Sequence, residues 1–371
     1  MILNSLNLIN FKNYEEINFK FSDKINFFLG KNGAGKTNIL DSIHYLSFSK
    51  SYFNHIDSLN IKKNESFFSI SSVFNKKNIN YKTYLAYEKN KSKVIRVNGE
   101  VCDKFSSHIG KFPIIISTPF DSNLILGSGE LRRKFIDVLI CQFDKVYLNN
   151  LIPYKHLIKQ RNNLLKQFQK KNYFSKDDIE IYNIKLVETG TYIHKKRNEI
   201  INLLKSKIFN YYSSIYPNNE SINIEYKSQL NKGNFYELLD KNLEKDRILC
   251  YSSTGIHRDD IDFFINDSSM KKSGSQGQQK SFLLALKFAE FEILKSMINF
   301  KPLFLIDDLF DKLDKNRVAS IISFIMKNDF GQIFITDTDL ERIKLIVGKM
   351  NIDYKYFYIE NNNCNERQIK D

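Results

Sequence analysis

The sequence predicts an α/β fold: a parallel-sheet core split in sequence, an antiparallel β-layer, and an inserted, mainly helical lobe. Three observations carry this reading. Residues 1–118 alternate apolar and polar side chains in short runs broken by polar turns. From Glu130 to about Phe209 apolar residues recur at helical spacing. From Ser275 onward strand-like runs alternate with helical ones, as parallel strands joined by crossover helices require.

In chain order, "ILNSLNLINF" and "INFKFSDKINFFLG" alternate as strands do, the second ending in a short apolar run suited to a buried position. Between 64 and 101, "FFSISSVF", "YKTYLAY" and "KVIRVNGEV" form a meander separated by "NKKNIN" and "EKNKSK", with Asn98-Gly99 as a hairpin turn. "KFPIIIST" adds a buried strand near 111–118. The helical lobe carries two stripes. One is Leu151, Tyr154, Ile158, Arg161, Leu165 and Phe168; the other is Ile184, Val187, Thr191, Ile193, Ile200, Leu204 and Ile208. Polar "KKNYFSKDD" between them reads as the tip of an antiparallel helical hairpin with arms of about 20–30 residues, too short for a long coiled coil. After a β-like return come a helix, the strand "PLFLIDD", a helix, the strand "QIFITD", a helix and the strand "YKYFYIE".

Composition narrows the class. No run of about 18 apolar residues is present, and the opening residues lack the pattern of a signal peptide. The cysteines, Cys102, Cys141, Cys250 and Cys364, lie far apart with no C-x-x-C pair, which speaks against disulfides or zinc and for a reducing compartment. The chain therefore reads as soluble and cytoplasmic. Its net charge of +14 fits a polyanionic partner such as nucleic acid. The same charge also fits AT-rich coding bias, because most of the 56 basic residues are lysine and Trp is absent.

The chemistry is concentrated in two motifs. "GKNGAGKT", Gly30 to Thr37, matches G-x-x-x-x-G-K-[ST] between a strand-like "INFFL" and a helical "TNILDSIHYLSF". Gly30, Lys31, Asn32, Gly33, Ala34, Gly35, Lys36, Thr37 and Asn38 would then bind nucleotide. Glycines let backbone N–H groups turn toward phosphate, Lys36 neutralises it, and Thr37 ligates Mg²⁺. "PLFLIDDLFDKLD" puts Asp307 and Asp308 at the carboxyl end of a buried strand, where ligands of such sheets bind. Asp307 is expected to hold Mg²⁺ with Thr37, directly or through water; Asp308 is expected to act in catalysis by orienting or deprotonating the attacking water, with Lys36 as the other catalytic residue. These motifs lie about 270 residues apart, and no guanine-reading N-K-x-D is present. The expected division is a nucleotide-binding lobe from 1–125 and 245–371 around an inserted lobe at 126–244.

"SGSQGQQKSFLLALKFAE", 273–290, sets a polar glycine-bearing turn against a helix start. With these motifs the chain resembles the ABC-type ATPase heads of the SMC and DNA-repair class, whose signature is Ser-x-Gly-Gln, here Ser275, Gly277 and Gln278. The resemblance narrows to the RecF family. It is carried by "LNLINFKNYEEINFKF", "SNLILGSGELRRKFIDVLI", "LIKQRNNLLK", "GIHRDDIDFFIN", "SQGQQKS" and "FLIDDLFDKLD", with Ile256 standing where that family usually has proline. The resemblance implies ATP and Mg²⁺ as cofactors and a slow, switch-like ATPase. It implies a signature that closes over nucleotide held by a second copy, a D-loop at Leu313-Asp314, and a γ-phosphate-sensing switch at Thr336. It also implies an ATP-clamped homodimer that binds DNA at gaps and single-strand/double-strand junctions and assists RecA loading with RecR and RecO.

Several readings stay paired. Arg132 and Arg133 suit DNA backbone or γ-phosphate, or an ion pair with Glu130 or Asp137. His257 and Arg258 suit a place near the nucleotide or a buttressing role, and Thr336 also suits a plain strand terminus. "DTD" at 337–339 lacks the companion strand of a nuclease site, and lysine runs such as "KSMINFK" read as solvated faces. The alternative function is an SMC/SbcC-like chromosome or nuclease-associated head. That class needs arms of hundreds of residues and often a C-x-x-C hook, and this sequence has neither.

Overall fold

The computed structural model describes residues 1–216, 220–308, 330–339 and 353–360, a few isolated positions between them, and the backbone of 363–367. In chain order the strands are β1 (Ile2–Phe11), β2 (Tyr14–Lys20), β3 (Ile25–Leu29), β4 (Phe67–Lys76), β5 (Ile79–Glu88), β6 (Val94–Val97), β7 (Glu100–Val101), β8 (Ile114–Ser117), β9 (Ile222–Lys227), β10 (Asp260–Ile265), β11 (Ser268–Ser269), β12 (Leu303–Ile306), β13 (Ile333–Asp337), β14 (Tyr354–Glu360) and β15 (Asn363–Arg367). The helices are α1 (Lys36–Phe48), α2 (Phe105–His108), α3 (Ser122–Leu126), α4 (Gly129–Cys141), α5 (Lys145–Lys171), α6 (Lys176–Ile215), α7 (Phe235–Lys241), α8 (Leu243–Leu249), α9 (Met270–Ser273) and α10 (Gln276–Ile298).

The chain forms two compact units. One comprises Met1–Asp121, Ser214–Pro217 and Leu283–Asp371; the other comprises Ser122–Ser213 and Asn218–Phe282. The lobe thus extends to Phe282, beyond the expected 244. The reason is strand pairing: β10 pairs antiparallel with β9 along Asp260–Ile265 and with β11, so the return segment folds with the helices.

The first unit holds two six-stranded sheets. The antiparallel meander runs β2-β1-β4-β5-β6-β7, as the alternating segments predict. Asn98 (φ 52) and Gly99 (φ 88) are both left-handed, which makes the β6–β7 turn the twist-matched hairpin type. The other sheet runs β15-β14-β3-β13-β12-β8, with β14, β3, β13, β12 and β8 mutually parallel and β15 an antiparallel edge. Its central strands are buried along their length, which explains why "INFFL" and "LFLI" read as unbroken apolar runs. Phenylalanines supply much of its packing. Phe28 stacks on Phe334 and Phe357 at centroid distances of 6.4 and 5.4 Å, and Phe288 and Phe291 of α10 meet Phe304 at 5.8 and 5.6 Å.

In the second unit α5 and α6 form the expected hairpin, but α6 is 40 residues long. The α5 stripe faces inward, with Leu151, Tyr154, Arg161, Leu165 and Phe168 buried and Ile158 half-buried. The α6 stripe is corrected over its first half. Ile184 is 56% exposed, while Ile179, Asn183, Leu186, Gly190 and Ile193 form the inward row that continues to Ile200, Leu204 and Ile208. Apolar spacing missed this row because it includes Asn183, Gly190 and, between Ile193 and Ile200, the buried Arg197. A Cβ on Gly190 would lie 2.6 Å from the Phe235 ring, so only glycine fits there.

Two buried arginines organise this lobe. Arg161 bonds Asn183 (3.0 Å), Asp246 (2.7 Å) and Ser252 (2.8 Å). Arg197 bonds both oxygens of Asp137, the Ile256 carbonyl and Asp259. Burial opposes the Arg197 charge, but Asp137, Tyr147, Tyr226 and Asp259 hold its pKa well above the ordinary value. Removing one partner of such a network leaves the others charged, buried and unmatched. Arg197→Met is therefore expected to lower the lobe's stability by about 3–5 kcal/mol, read from the urea midpoint by circular dichroism. A change within about 0.5 kcal/mol would show the network to be stability-neutral.

Candidate functional site

The three central strands of the parallel sheet deliver their carboxyl ends to one place. β3 runs into the glycine loop, β12 ends before Asp307 and Asp308, and β13 ends at Thr336 and Asp337. Register aligns them: Leu29 pairs with Asp337, Phe28 with Thr336, and Ile306 with Ile335. The two motifs, far apart in sequence, thereby meet.

The loop has the curl that phosphate binding needs. Gly33 (φ 81) and Gly35 (φ 106) are left-handed, and α1 starts immediately afterward with its positive end at the loop. Lys36 is buried, and its Nζ donates to the carbonyls of Gly30 (2.7 Å) and Lys31 (2.9 Å). Burial lowers the Lys36 pKa, while the Asp308, Asp307 and Asp337 carboxylates push it back up.

The Thr37 hydroxyl donates to Asp307, 2.9 Å from Oδ1 and 3.0 Å from Oδ2. Two oxygens on adjacent corners of a Mg²⁺ octahedron lie about 3.0 Å apart, √2 times the Mg–O distance of about 2.1 Å. Hydroxyl and carboxylate are also the hard oxygen donors that Mg²⁺ takes, so the residues fit the ion. Burial raises the Asp307 pKa, and hydrogen bonds from Thr336 and Thr37 oppose the rise. The Thr336 hydroxyl donates to Asp307 Oδ1 (2.7 Å) and accepts from the Asp308 N–H (2.8 Å). Asp308 has left-handed backbone (φ 50), an uncommon setting for a non-glycine residue and one met at functional sites.

Sequence reasoning missed a neighbour from the β-layer. Asn13, in the β1–β2 turn, accepts from Asn38 Nδ2 (2.6 Å). A Cβ on Gly35 would lie 2.4 Å from Asn13 Nδ2 and 2.7 Å from the Tyr14 hydroxyl. The phosphate loop therefore rests on this turn, a contact that no periodicity in the chain announces.

Other expected residues lie in the second unit. Ser275 and Gln278 open α10 as a reciprocal cap: the Gln278 N–H donates to Ser275 Oγ (3.3 Å) and the Ser275 N–H to Gln278 Oε1 (2.7 Å). Ser275 is exposed and Gly277 half-buried. Arg132 meets neither expected acid. It forks onto Asp260 at 2.7 and 2.9 Å and donates to the carbonyls of Leu124 and Gly127, so it holds the lobe together. Arg133 donates to the Asp259 carbonyl (2.6 Å), and burial lowers its pKa. Asp137 is taken up by Arg197 and Tyr147. His257 accepts from the Tyr154 hydroxyl (2.9 Å) and donates to the Ser252 carbonyl (3.0 Å), which favours the buttressing role. Arg258 donates to the same carbonyl and lies 4.7 Å over Tyr251. Ile256 is buried in a short 3₁₀ turn, so the turn forms without the proline usual there. Asp314 lies outside the described residues.

Two outcomes follow. Gly35→Ala is expected to weaken binding of a fluorescent ATP analogue at least about tenfold with circular dichroism unchanged, because a left-handed site must take a Cβ against Asn13. Unchanged affinity would mean that the loop yields. Burial pushes the His257 pKa down to about 4 from 6.5. The unfolded chain then gains a proton that the folded chain refuses. Stability is full above pH 6.5 and falls as pH drops toward 4, by about 3 kcal/mol in all. A pH series of urea midpoints that is equally steep in His257→Gln would assign the loss elsewhere.

Comparison with known proteins agrees with this geometry. The family description "RecF/RecN/SMC N terminal domain" matches residues 2–354. The DNA replication and repair protein RecF of Flavobacterium johnsoniae is 46% identical over 96% of this chain and 99% of its own length. That of Bacteroides fragilis is 38% identical over 100% of both chains. Among solved structures, the recombination mediator protein RecF with ATP, of the RecFOR pathway, is 29% identical with a TM-score of 0.87 and covers 99% of this chain and 98% of its own. An Smc head domain of Pyrococcus furiosus, 15% identical with a TM-score of 0.58 over 99% of this chain and 96% of that one, shares the fold. No helix among the described residues is long and apolar enough to cross a membrane. The fold is therefore the ABC-type ATPase head with an antiparallel β-layer and an inserted helical lobe, and the chain belongs to the RecF family of DNA replication and repair proteins.

Proposed function

We propose that this chain is an ATP-gated switch of recombinational repair and replication-fork maintenance. It closes as a homodimer on DNA at gaps and single-strand/double-strand junctions in the cytoplasm. The observation that carries the reading is the convergence of Lys36, Thr37, Asp307, Asp308 and Thr336 at the carboxyl ends of adjacent parallel strands.

Each group has a task in that reading. Backbone N–H groups of Gly30–Thr37 bind the phosphates, and Lys36 leaves its two carbonyls to neutralise them. Thr37 and Asp307 would hold Mg²⁺, which when bound supplies charge neutralisation of the phosphate oxygens. Asp308 orients the attacking water and accepts its proton, and Thr336, bonded to both aspartates, passes their position on. Ser275, Gly277 and Gln278 face nucleotide held by the second copy, where a hydroxyl and a helix N-terminus stabilise its terminal phosphate. Because this contact exists only in the closed dimer, ATP favours closure and hydrolysis releases it, with turnover slow. RecR, RecO and RecA enter as partners through the family and the RecFOR pathway of the related structure. The SMC/SbcC-like alternative is disfavoured by arms of only 27 and 40 residues in α5 and α6.

Light scattering with ATP, ADP and no nucleotide tests the clamp. Wild type is expected to double its mass with ATP alone, and Lys36→Met and Ser275→Arg to stay monomeric. A wild-type protein that remains monomeric with ATP and DNA would sink the proposal. Gel shifts of gapped duplex against tRNA at rising salt test the DNA arm, and equal affinity for the two would reduce it to nonspecific charge.

A further inference from the structure

The α10 cap depends on an acid that neither motif contains. Gln278 uses both ends of its amide: Oε1 accepts the Ser275 N–H (2.7 Å) and Nε2 donates to Glu220 Oε1 (2.7 Å). The other Glu220 oxygen accepts from the hydroxyl of Tyr212 (2.5 Å), a fully buried residue of α6. Glu220 lies 55 residues before Ser275, between α6 and β9.

From these contacts we infer that Glu220 is the positioning residue of the signature turn, acting through Gln278; the inference rests on the phosphate-receptor reading above. An amide side chain has a donor end and an acceptor end, and its neighbours choose between the two orientations. An ionised carboxylate only accepts, so Glu220 takes Nε2 and leaves Oε1 for the Ser275 N–H. With that N–H satisfied, Ser275 Oγ receives the Gln278 N–H (3.3 Å), and the hydroxyl keeps its hydrogen for an incoming anion. Reversing the amide would aim Nε2 at the Ser275 N–H, donor against donor, and the cap would be lost. Tyr212 holds the acid from behind. Glu220 thus sets the direction of the serine hydroxyl without touching phosphate, where its own charge would repel. A glutamine at 220 can keep its oxygen on Gln278 only by turning its NH2 to Tyr212, whose hydroxyl must then accept where it now donates.

Subunit mixing tests this. Glu220→Ala is expected to bind a fluorescent ATP analogue as wild type does but to hydrolyse ATP at least about tenfold more slowly, with Glu220→Gln between them. Asp308→Asn, inactive alone with its signature intact, is then mixed one to one with Glu220→Ala. Half of the random dimers are mixed, and each holds one site with an intact Asp308 and an intact partner signature. About a quarter of wild-type turnover is therefore expected to return, which a misfolded Glu220→Ala chain could not give. Ser275→Ala mixed with Asp308→Asn is the control for the underlying reading. If that control recovers while Glu220→Ala alone is as fast as wild type, or is slow and unrecovered, the Glu220 inference falls. If the control does not recover, the receptor reading itself falls.

Discussion

The candidate nucleotide site hangs on one short chain of hydrogen bonds. Thr37 reaches Asp307, Asp307 is bonded by Thr336, and the Thr336 hydroxyl receives the Asp308 N–H. These bonds link the ends of β12 and β13 and the start of α1. They are worth more than surface bonds because Asp307 and Thr336 are buried and cannot turn to water instead. Buried carboxylate beside buried lysine is costly alone, and the arrangement is stable because every charge has an opposite or a donor within reach. It is also poised: the Lys36 ammonium rests on loop carbonyls, the weakest acceptors nearby, and a phosphate would draw it away.

The helical lobe uses the same device for a different end. Arg161 and Arg197 are long side chains inside a small lobe, each bonded to several separate segments of chain. Neither suits a site that must release a ligand, because every bond is to another part of the same lobe. The segment "GIHRDD" belongs to this framework: His257, Arg258, Asp259 and Asp260 each bond to other parts of it. A charged motif in a sequence advertises chemistry, but here the charges are bracing.

Much was legible before any coordinates. The β-layer was visible because a half-buried strand alternates with period two, and the parallel core because its strands do not alternate at all. The curled glycine loop before α1 was visible because glycine, lysine and threonine at that spacing have few other uses. Less legible was the α6 stripe, where Asn183, Gly190 and Arg197 stand at inward positions that an apolar count passes over. The partners of Arg132 and His257 were hidden for another reason: a charged or aromatic side chain names the kind of partner it needs, not which one.

Sequence by itself determined the local chemistry: which loop can cradle phosphate, which strand ends in two acids, which turn caps a helix. Those follow from backbone freedom, side-chain type and spacing over a few residues. Only the tertiary structure decided which distant groups meet. Thr37 against Asp307, Asn13 beneath Gly35, Arg132 on Asp260 and Glu220 behind Gln278 are separated by tens to hundreds of residues. Such meetings depend on strand order and register, which are set by how the whole apolar surface packs away from water rather than by any short stretch of chain.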